Sequence, residues 1–154
     1  FSGLVLNANY TVTQSEVKYP RTIIEYEIDW GPPLTTTTTN IDTFYIERLI
    51  DQPDEIINVS LGYDYKGFSG RLSMLYKSNV FMRTDFWPEL RQSTDDYKRW
   101  DLSLKMDLPV DGLEIFLHVS NITEAVDINR FRNKYLSLEQ HYGKTIDLGF
   151  RYSF

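Results

Sequence analysis

Apolar and polar residues alternate along several stretches of this chain, most clearly over residues 144–154. Ile146, Leu148 and Phe150 fall on one side of an extended chain, and Asp147 falls on the other. Alternation with a period of two predicts a β-strand with one apolar and one polar face. The stretch finishes on aromatic residues, which is typical of the closing strand of a membrane barrel, where aromatic rings lie at the lipid–water interface.

The same alternation predicts five further strands upstream. They cover roughly 3–18, 57–66, 68–77, 99–108 and 113–120. Lys66-Gly67 has the composition of a tight hairpin turn, and the stretch from Pro109 to Gly112 has that of a second turn. The pattern therefore predicts an all-β chain, an antiparallel up-and-down meander of about six strands in which each strand pairs with its neighbours in sequence.

Three long connections separate these strands, and each is predicted to be a loop. The longest covers about 20–54 and contains Pro20, Gly31-Pro32-Pro33 and five consecutive threonines, Thr35 to Thr39. The threonine run is low in complexity and is predicted to be an extended, solvated spacer. The other two connections cover about 82–96 and 122–138. Long loops at one end and short turns at the other are the arrangement found in outer-membrane barrels.

Alternation alone leaves open which face of the sheet points outward. A soluble β-sandwich buries its apolar faces, whereas a membrane barrel turns them to lipid. The arrangement of the connections favours the barrel, so the apolar face is predicted to be convex and the polar face concave. The predicted convex residues include Leu102, Leu104, Ile115, Leu117, Leu148 and Phe150, and the concave ones include Arg99, Asp101, Lys105, Asp147 and Arg151.

Aromatic residues occur near both ends of the predicted strands. Tyr63, Tyr65, Phe68, Tyr152 and Phe154 fall near the short turns, and Tyr76, Tyr97, Trp100 and Tyr142 fall near the long connections. Amphipathic rings are enriched at the two interfaces of a bilayer, so these two groups also favour a membrane barrel. Ordinary core aromatics of a β-sandwich are the alternative.

Composition narrows the classes of function. The chain has 154 residues, a net charge of −6 and a pI near 4.9, so it offers no basic surface for nucleic acid. It contains no cysteine, which excludes disulfides and thiolate metal sites. No run of about 18 apolar residues occurs, which excludes a transmembrane helix but not barrel strands.

No catalytic, cofactor or metal site is predicted. The two histidines, His118 and His141, lack the spacing of a metal-binding pair. The cluster from Asp51 to Glu55 offers oxygen ligands but lacks the ordered pattern of a calcium loop. Asn58, Ser60 and His118 could be combined into a hydrolytic site, but their spacing does not require it.

The predicted loop 82–96 contains a candidate solute contact. Phe86 and Trp87 are adjacent in it, and aromatic rings can stack on the ring of a sugar or a siderophore. Packing of these rings against a neighbouring loop is the alternative.

The last two predicted strands, Leu113–Asn121 and Tyr142–Phe154, together resemble those of the TonB-dependent outer-membrane receptors. Ile122-Thr123-Glu124 is similar to the Asn-Leu-x-Asp-like turn of that family, with Ile122 and Glu124 as conservative changes. Phe150, Tyr152 and Phe154 resemble the terminal signal that the barrel-assembly machinery recognises in such receptors. Five further stretches resemble receptors of Bacteroidetes-type bacteria in particular. They are Gly3–Thr11, Ser15-Glu16, Tyr19-Pro20, Ile41–Tyr45 and Asp51–Asn58.

The resemblance implies that residues 1–154 are the C-terminal part of a transmembrane barrel of about 22 strands in a bacterial outer membrane. It implies active uptake of a scarce solute, such as a siderophore or an oligosaccharide, and no enzymatic activity. The implied partners are the lipid bilayer, the barrel-assembly machinery, a TonB-type energy-transducing complex, a small-molecule or glycan substrate and a surface lipoprotein.

The plug domain and the earlier strands of the family are absent from residues 1–154. The strand at Leu4–Val12 is therefore expected to be internal to a larger barrel and not to pair with Ile146–Phe154. Two alternatives stay open. One is a small complete barrel or β-sandwich that acts as a binding module, and the other is a barrel-embedded hydrolase.

Overall fold

β-strands make up most of the computed structural model, which describes residues 3–154. The twelve strands in that range are β1 (Leu4–Val12), β2 (Val17–Asp29), β3 (Thr35–Glu47), β4 (Glu55–Tyr65), β5 (Phe68–Lys77), β6 (Phe81–Arg83), β7 (Gln92–Thr94), β8 (Tyr97–Asp107), β9 (Leu113–Ser120), β10 (Val126–Phe131), β11 (Leu136–His141) and β12 (Thr145–Tyr152). A short 3-10 turn at Pro88–Leu90 is the helical segment of the described chain. The strand pairings are antiparallel, so the predicted all-β antiparallel fold is confirmed.

Within residues 3–154, no helix has the length and apolar character needed to cross a membrane.

Six long strands form one sheet in the order β1-β4-β5-β8-β9-β12. This order confirms the predicted meander, because each strand predicted from alternation pairs with the next predicted strand. The observed strands begin and end within two residues of the prediction, except that β1 ends at Val12 and not near residue 18. β1 and β12 lie at opposite edges and do not pair with each other, as predicted.

Tight turns join the strands at one end of this sheet. Lys66 and Gly67 connect β4 to β5 with φ angles of 44° and 79°. Positive φ at both central residues is what a type I′ hairpin turn requires, and glycine adopts it without steric cost. Residues 108–112 connect β8 to β9 and include Gly112 at φ 75°.

The chain divides into two compact units. One comprises the residues up to Thr13 together with Ile50–Phe154, and the other comprises Gln14–Leu49. The prediction that 20–54 is irregular is wrong, because β2 and β3 form a hairpin with 13 residue pairs, from Val17↔Glu47 to Asp29↔Thr35. Threonine and isoleucine are β-branched and favour strands, and the Gly31-Pro32-Pro33 segment lies at the tip of the hairpin. The threonine run is therefore a paired strand and not a solvated spacer.

The predicted loops at 82–96 and 122–138 also contain strands. β6 and β7 lie in or beside the first, and β10 and β11 lie in or beside the second. Together they form a four-stranded sheet in the order β11-β10-β7-β6. These strands have only three to six residues, which is too short for a period of two to stand out in the sequence.

Few side chains in the described part of the chain are fully buried. Val80 and Phe81, exposed by 3% and 2%, are its buried apolar residues, and both lie at the small sheet. The apolar face of the large sheet is open, with Leu6 and Leu148 about two thirds exposed at 66% and 67%. Within residues 3–154, no second layer covers Leu148 as the other sheet of a sandwich would. The assignment of this face to the convex side of a barrel stays a prediction.

Candidate functional site

The long connections of the large sheet build an ordered platform at one end of the larger unit. We use "platform" for the four-stranded sheet β11-β10-β7-β6 together with residues 78–96 and 121–144 that connect and border it. Buried side chains of the larger unit gather in this platform. They are Ser78, Val80, Phe81, Arg91, Thr94 and Asn121. The end of the sheet that was predicted to carry long loops therefore has the best-packed part of the unit.

Reciprocal hydrogen bonds attach the platform to the large sheet and join two segments within the platform. The Ser78 N–H donates to the Glu55 carbonyl at 3.0 Å, and the Glu55 N–H donates to Ser78 Oγ at 3.0 Å. The Val80 N–H donates to Thr94 Oγ1 at 2.9 Å, and the Thr94 N–H donates to the Val80 carbonyl at 2.8 Å. Because Ser78, Val80 and Thr94 are buried, loss of either hydroxyl would leave backbone groups without water as a substitute.

Two adjacent carboxylates after β7 join separate elements of the platform. Asp95 forms an ion pair with Arg130 of β10, with 2.8 Å between Oδ2 and Nε. Asp96 accepts hydrogen bonds from the Asn79 N–H at 2.8 Å and from the Tyr76 hydroxyl at 3.0 Å. The connections 78–96 and 121–144 are therefore linked to each other by the ion pair, and the first is linked to β5 by the Tyr76 hydrogen bond.

Asn121 fixes the connection between β9 and β12. Its Oδ1 accepts a hydrogen bond from the Ala125 N–H at 2.7 Å, and its Nδ2 donates to the Gly143 carbonyl at 2.8 Å. The Asn121 N–H donates to Asp101 Oδ1 at 2.9 Å. The residue adopts φ 56°, a conformation that asparagine tolerates better than most residues. An amide is needed here because the side chain both accepts and donates hydrogen bonds. The sequence pattern placed Asn121 only at the end of a predicted strand and did not indicate this role.

Phe86 and Trp87 form an exposed aromatic pair on the connection between β6 and β7. Their side chains are exposed by 46% and 59%, and their ring centroids lie 5.0 Å apart with the planes at 86°. Asp85 Oδ1 accepts a hydrogen bond from the Trp87 N–H at 3.0 Å, and the Leu90 N–H donates to the Trp87 carbonyl at 3.0 Å. The backbone of Trp87 is therefore held on both sides, and the indole is presented to solvent from a fixed position.

Open depressions lie on the polar face of the large sheet. One, of about 370 Å³, is lined by Asn7, Asn58, Ser60, Ser73 and Arg99 together with the apolar residues Ala8, Val59, Met74 and Leu75. Another, of about 360 Å³, is lined by groups that include Arg71, Asp101, Ser103, His118 and Asp147. Amide, hydroxyl and charged groups line both, so this face can hydrogen-bond to water or to a polar solute.

Ion pairs fix the charged side chains of the polar face near the short turns. Glu114 lies between two cations, with 2.5 Å to Lys105 Nζ and 2.9 Å to Arg151 Nη1. Arg71 binds both carboxylate oxygens of Asp64, at 2.9 Å and 2.6 Å. These contacts order the polar face without bringing a nucleophile and a base together.

The three residues considered for a hydrolytic site are not assembled. Asn58 and Ser60 lie on β4, whereas His118 lies on β9, and β5 and β8 separate these strands. That separation is about 14 Å at the usual strand spacing. The Ser60 hydroxyl accepts a hydrogen bond from the Ser73 hydroxyl at 3.1 Å.

The candidate metal ligands are not gathered either. In residues 3–154, no group of three or more histidine, cysteine, aspartate or glutamate side chains is placed to hold a metal ion. His141 instead lies 2.9 Å from Glu139 Oε1. The Asp51 N–H donates to the Phe81 carbonyl at 3.0 Å, so this end of the acidic cluster attaches to the platform.

The proposed assembly signal lies on an open strand edge. Phe150 and Tyr152 are exposed by 66% and 60%, and Phe154 is fully exposed. β12 pairs with β9 on one side, and no described strand pairs with its other edge. The aromatic residues are therefore accessible, together with the backbone of the strand that carries them.

The net charge of the chain is concentrated in the long connections. Residues 13–54, 78–96 and 121–144 contain 15 acidic and 9 basic residues. The rest of the chain contains 7 acidic and 7 basic residues, so the whole net charge of −6 belongs to the connections. This asymmetry was readable from the sequence once the connections had been identified.

Comparison with known proteins found no matching protein-family model, no matching curated protein and no matching solved structure.

Proposed function

We propose that the six-stranded sheet is part of a transmembrane β-barrel of about 22 strands in a bacterial outer membrane, and that the barrel takes up a scarce solute as a TonB-dependent receptor. The observation that carries this proposal is the uncovered apolar face of the large sheet, whose opposite face is polar and ion-paired. Continuous apolar surface of this extent mostly marks a contact with a partner or with lipid.

The register of the sheet arranges its apolar side chains in continuous rows. One row crosses all six strands and consists of Leu6, Leu61, Leu72, Leu102, Val119 and Ile146. Aromatic residues bound these rows, with Tyr10 and Tyr76 at one end and Tyr65 and Phe68 at the other. The strand from Ile57 to Tyr65 rises about 27 Å, or about 21 Å along the membrane normal at a tilt of about 40°. That height is close to the apolar band of about 25 Å in outer-membrane barrels.

The open edges support a barrel larger than six strands. β1 and β12 each pair on one side only among the described strands. In lipid, each unpaired backbone group costs several kcal/mol, so an open sheet edge cannot persist there. Additional strands that join β1 to β12 satisfy these groups and close the barrel. The number of about 22 strands and the plug domain come from the family resemblance.

Solute capture is assigned to the platform. The Phe86–Trp87 pair offers a fixed aromatic surface for a ring, and the depressions on the polar face line the path inside the barrel. Energy is supplied by the TonB-type complex, and a surface lipoprotein is a candidate partner at the same end.

Arginine substitution on the two faces of β12 tests the membrane assignment. Leu148→Arg places a charge on the apolar face, where it costs about 2–4 kcal/mol at the bilayer midplane. Thr145→Arg adds the same single charge on the polar face of the same strand and serves as the matched control. We expect the first variant to be depleted from the outer-membrane fraction of cells carrying the native gene, and the second to be retained. The opposite order would refute a lipid-facing Leu148.

Uptake measurements test the transport assignment. Cells with and without the gene are given a labelled neutral oligosaccharide or a labelled ferric siderophore, with and without an uncoupler of the proton gradient. We expect gene-dependent, uncoupler-sensitive uptake of one probe. Trp87→Ala should lower its uptake about threefold to tenfold, the scale of an aromatic stacking contact. Tyr135→Ala, an aromatic of the neighbouring connection that is 73% exposed, is the control. Uptake that is independent of the gene for both probes would reject the proposal.

A further inference from the structure

The hairpin of β2 and β3 has a well-anchored base. The Tyr19 and Tyr45 rings stack with centroids 5.4 Å apart and planes at 25°. Lys18 Nζ lies 4.9 Å from the centroid of the Phe44 ring, and the Tyr19 hydroxyl donates to the Arg48 carbonyl at 3.1 Å. These contacts lie in the half of the hairpin farthest from its tip, and they hold the two strands in register there.

The other half of the hairpin is uncovered on both faces. Every residue from 24 to 40 is exposed, and no third strand of the described chain pairs with β2 or β3. An isolated two-stranded hairpin is at best marginally stable in water. Its free edges present unpaired backbone groups that can bind an additional strand. The uptake function proposed above makes no use of this segment.

The two edges differ in how well they are protected against pairing. β2 contains Pro20 and, further along, Glu25, Glu27 and Asp29, and proline and charge are the usual devices that block edge pairing. Thr35 to Thr39 of β3 have neither charge nor proline, and threonine has a high strand propensity. The edge open to strand addition is therefore that of β3.

Register gives the two faces of this segment different chemistry. Glu25, Glu27 and Asp29 pair with Thr39, Thr37 and Thr35 on one face, and Ile24, Tyr26 and Ile28 pair with Asn40, Thr38 and Thr36 on the other. No basic residue lies opposite the three carboxylates in this register. A strand added beside β3 would lie about 9.6 Å from β2. Because threonine is small, long side chains of the added strand can extend over it to the side chains of β2.

We propose that the β3 edge at Thr35–Thr39 binds an extended segment of a partner protein whose side chains alternate between basic and apolar. In strand addition, alternate side chains of the incoming segment point to opposite faces. Its lysine or arginine side chains meet the carboxylates of β2, and its apolar side chains cover Ile24, Tyr26 and Ile28. A second copy paired through its own Thr35–Thr39 would bring only threonines to the same place and would satisfy neither face.

A peptide-binding experiment tests this proposal. Purified protein in a non-ionic detergent is titrated with a fluorescent nine-residue peptide that alternates lysine and valine, and binding is followed by anisotropy. The same peptide with N-methyl groups on alternate residues has the same charge and apolarity but cannot form the backbone ladder. We expect its binding to be at least about tenfold weaker, because several backbone hydrogen bonds are lost. A peptide that alternates glutamate and valine should not bind.

Variants of the protein then test the acidic face. Glu25→Gln and Glu27→Gln keep the shape of the side chain, and each should weaken binding about twofold to fivefold, the scale of one cross-strand charge pair. Asp111→Asn, in the turn between β8 and β9, removes an acidic residue elsewhere and should leave binding unchanged. Thr37→Cys tests whether a second copy of the chain binds the same edge. Because the chain has no other cysteine, a disulfide can form only between the hairpins of two copies.

Equal binding of the N-methylated peptide would overturn strand addition, and unchanged binding of the glutamine variants would overturn the basic chemistry of the partner. Efficient disulfide formation by Thr37→Cys that excess peptide does not suppress would assign the edge to a second copy. The measurements use detergent-solubilised protein, so they do not depend on whether the chain transports a solute.

Discussion

The residues that stabilise the platform are mainly polar. Ser78, Thr94 and Asn121 are buried, and their side chains hydrogen-bond to backbone groups of neighbouring segments. Each side chain supplies the hydrogen bond that water would supply to an exposed backbone group. Substitutions at these positions should therefore act through unsatisfied hydrogen bonds and not through lost apolar contacts.

Asn121→Ala should destabilise the larger unit more than any exposed asparagine does. It leaves the Ala125 N–H and the Gly143 carbonyl without their partner, and it places alanine at φ 56°. We expect a loss of about 1–3 kcal/mol, seen as a lower thermal unfolding midpoint of the detergent-solubilised protein. Asn133→Ala, which removes a single exposed hydrogen bond to the Tyr135 N–H, is the control. Equal midpoints for the two variants would contradict this role of Asn121.

Glu114→Gln should lower the unfolding midpoint because it leaves Lys105 and Arg151 close together without the carboxylate between them. The double variant Glu114→Gln with Arg151→Gln removes one of the two cations and should regain part of the loss. Asp111→Asn is the control, since it changes the charge by the same amount in a neighbouring turn. If the double variant were less stable than Glu114→Gln, repulsion between the cations would not be the cause.

The elements of the chain differ in how readily the sequence predicts them. The six strands of the large sheet have 8 to 11 residues, long enough for the apolar and polar faces to appear as an alternation. In β3 the five threonines hide any alternation, and the prolines of β2 and of the tip suggested a loop. The platform strands are stabilised by contacts between connections that are distant in sequence, such as Asp95 with Arg130. A local pattern contains no information about such contacts.

Hydrogen exchange should divide the β2–β3 hairpin into two halves. In the base half, Val17, Tyr19 and Ile23 of β2 are partly buried, and Tyr19 stacks on Tyr45. In the other half, both faces are in water, so opening costs little and amides exchange faster. We expect peptides covering 17–23 and 41–47 to exchange more slowly than those covering 24–40, measured by mass spectrometry. Uniform protection along the hairpin would show that something covers its tip.

At the scale of the whole molecule, the sequence predicted which residues share a face but not where the stability of the chain resides. Alternation placed Leu104 and Leu148 together on one face, and register confirms that they occupy one row with Leu117 between them. It did not predict that the buried residues would gather in the connections. Nor could it identify Phe86 and Trp87 as an edge-to-face pair, because the Asp85 hydrogen bond that orients Trp87 depends on backbone geometry.

Residues 1–154 expressed alone should require detergent. The large sheet has two open edges and an uncovered apolar face, which are both sites of self-association in water. We expect aggregation in aqueous buffer and a smaller, more homogeneous species in a mild detergent, measured by light scattering after size-exclusion chromatography. A monodisperse monomer without detergent would favour the small binding module over the barrel.

The uncovered apolar face also changes what a tolerated substitution means. In an ordinary domain, Leu→Ala leaves a cavity and costs about 2–5 kcal/mol. No layer of the described chain lies over Leu72 or Leu148, which are 38% and 67% exposed. Truncation of either side chain therefore opens no cavity, and the only loss is the apolar surface of the atoms removed. In the proposed contact with lipid, these positions should accept residues of almost any volume and reject charge. Variation in side-chain size along this face is therefore compatible with strong selection, which would act on polarity alone.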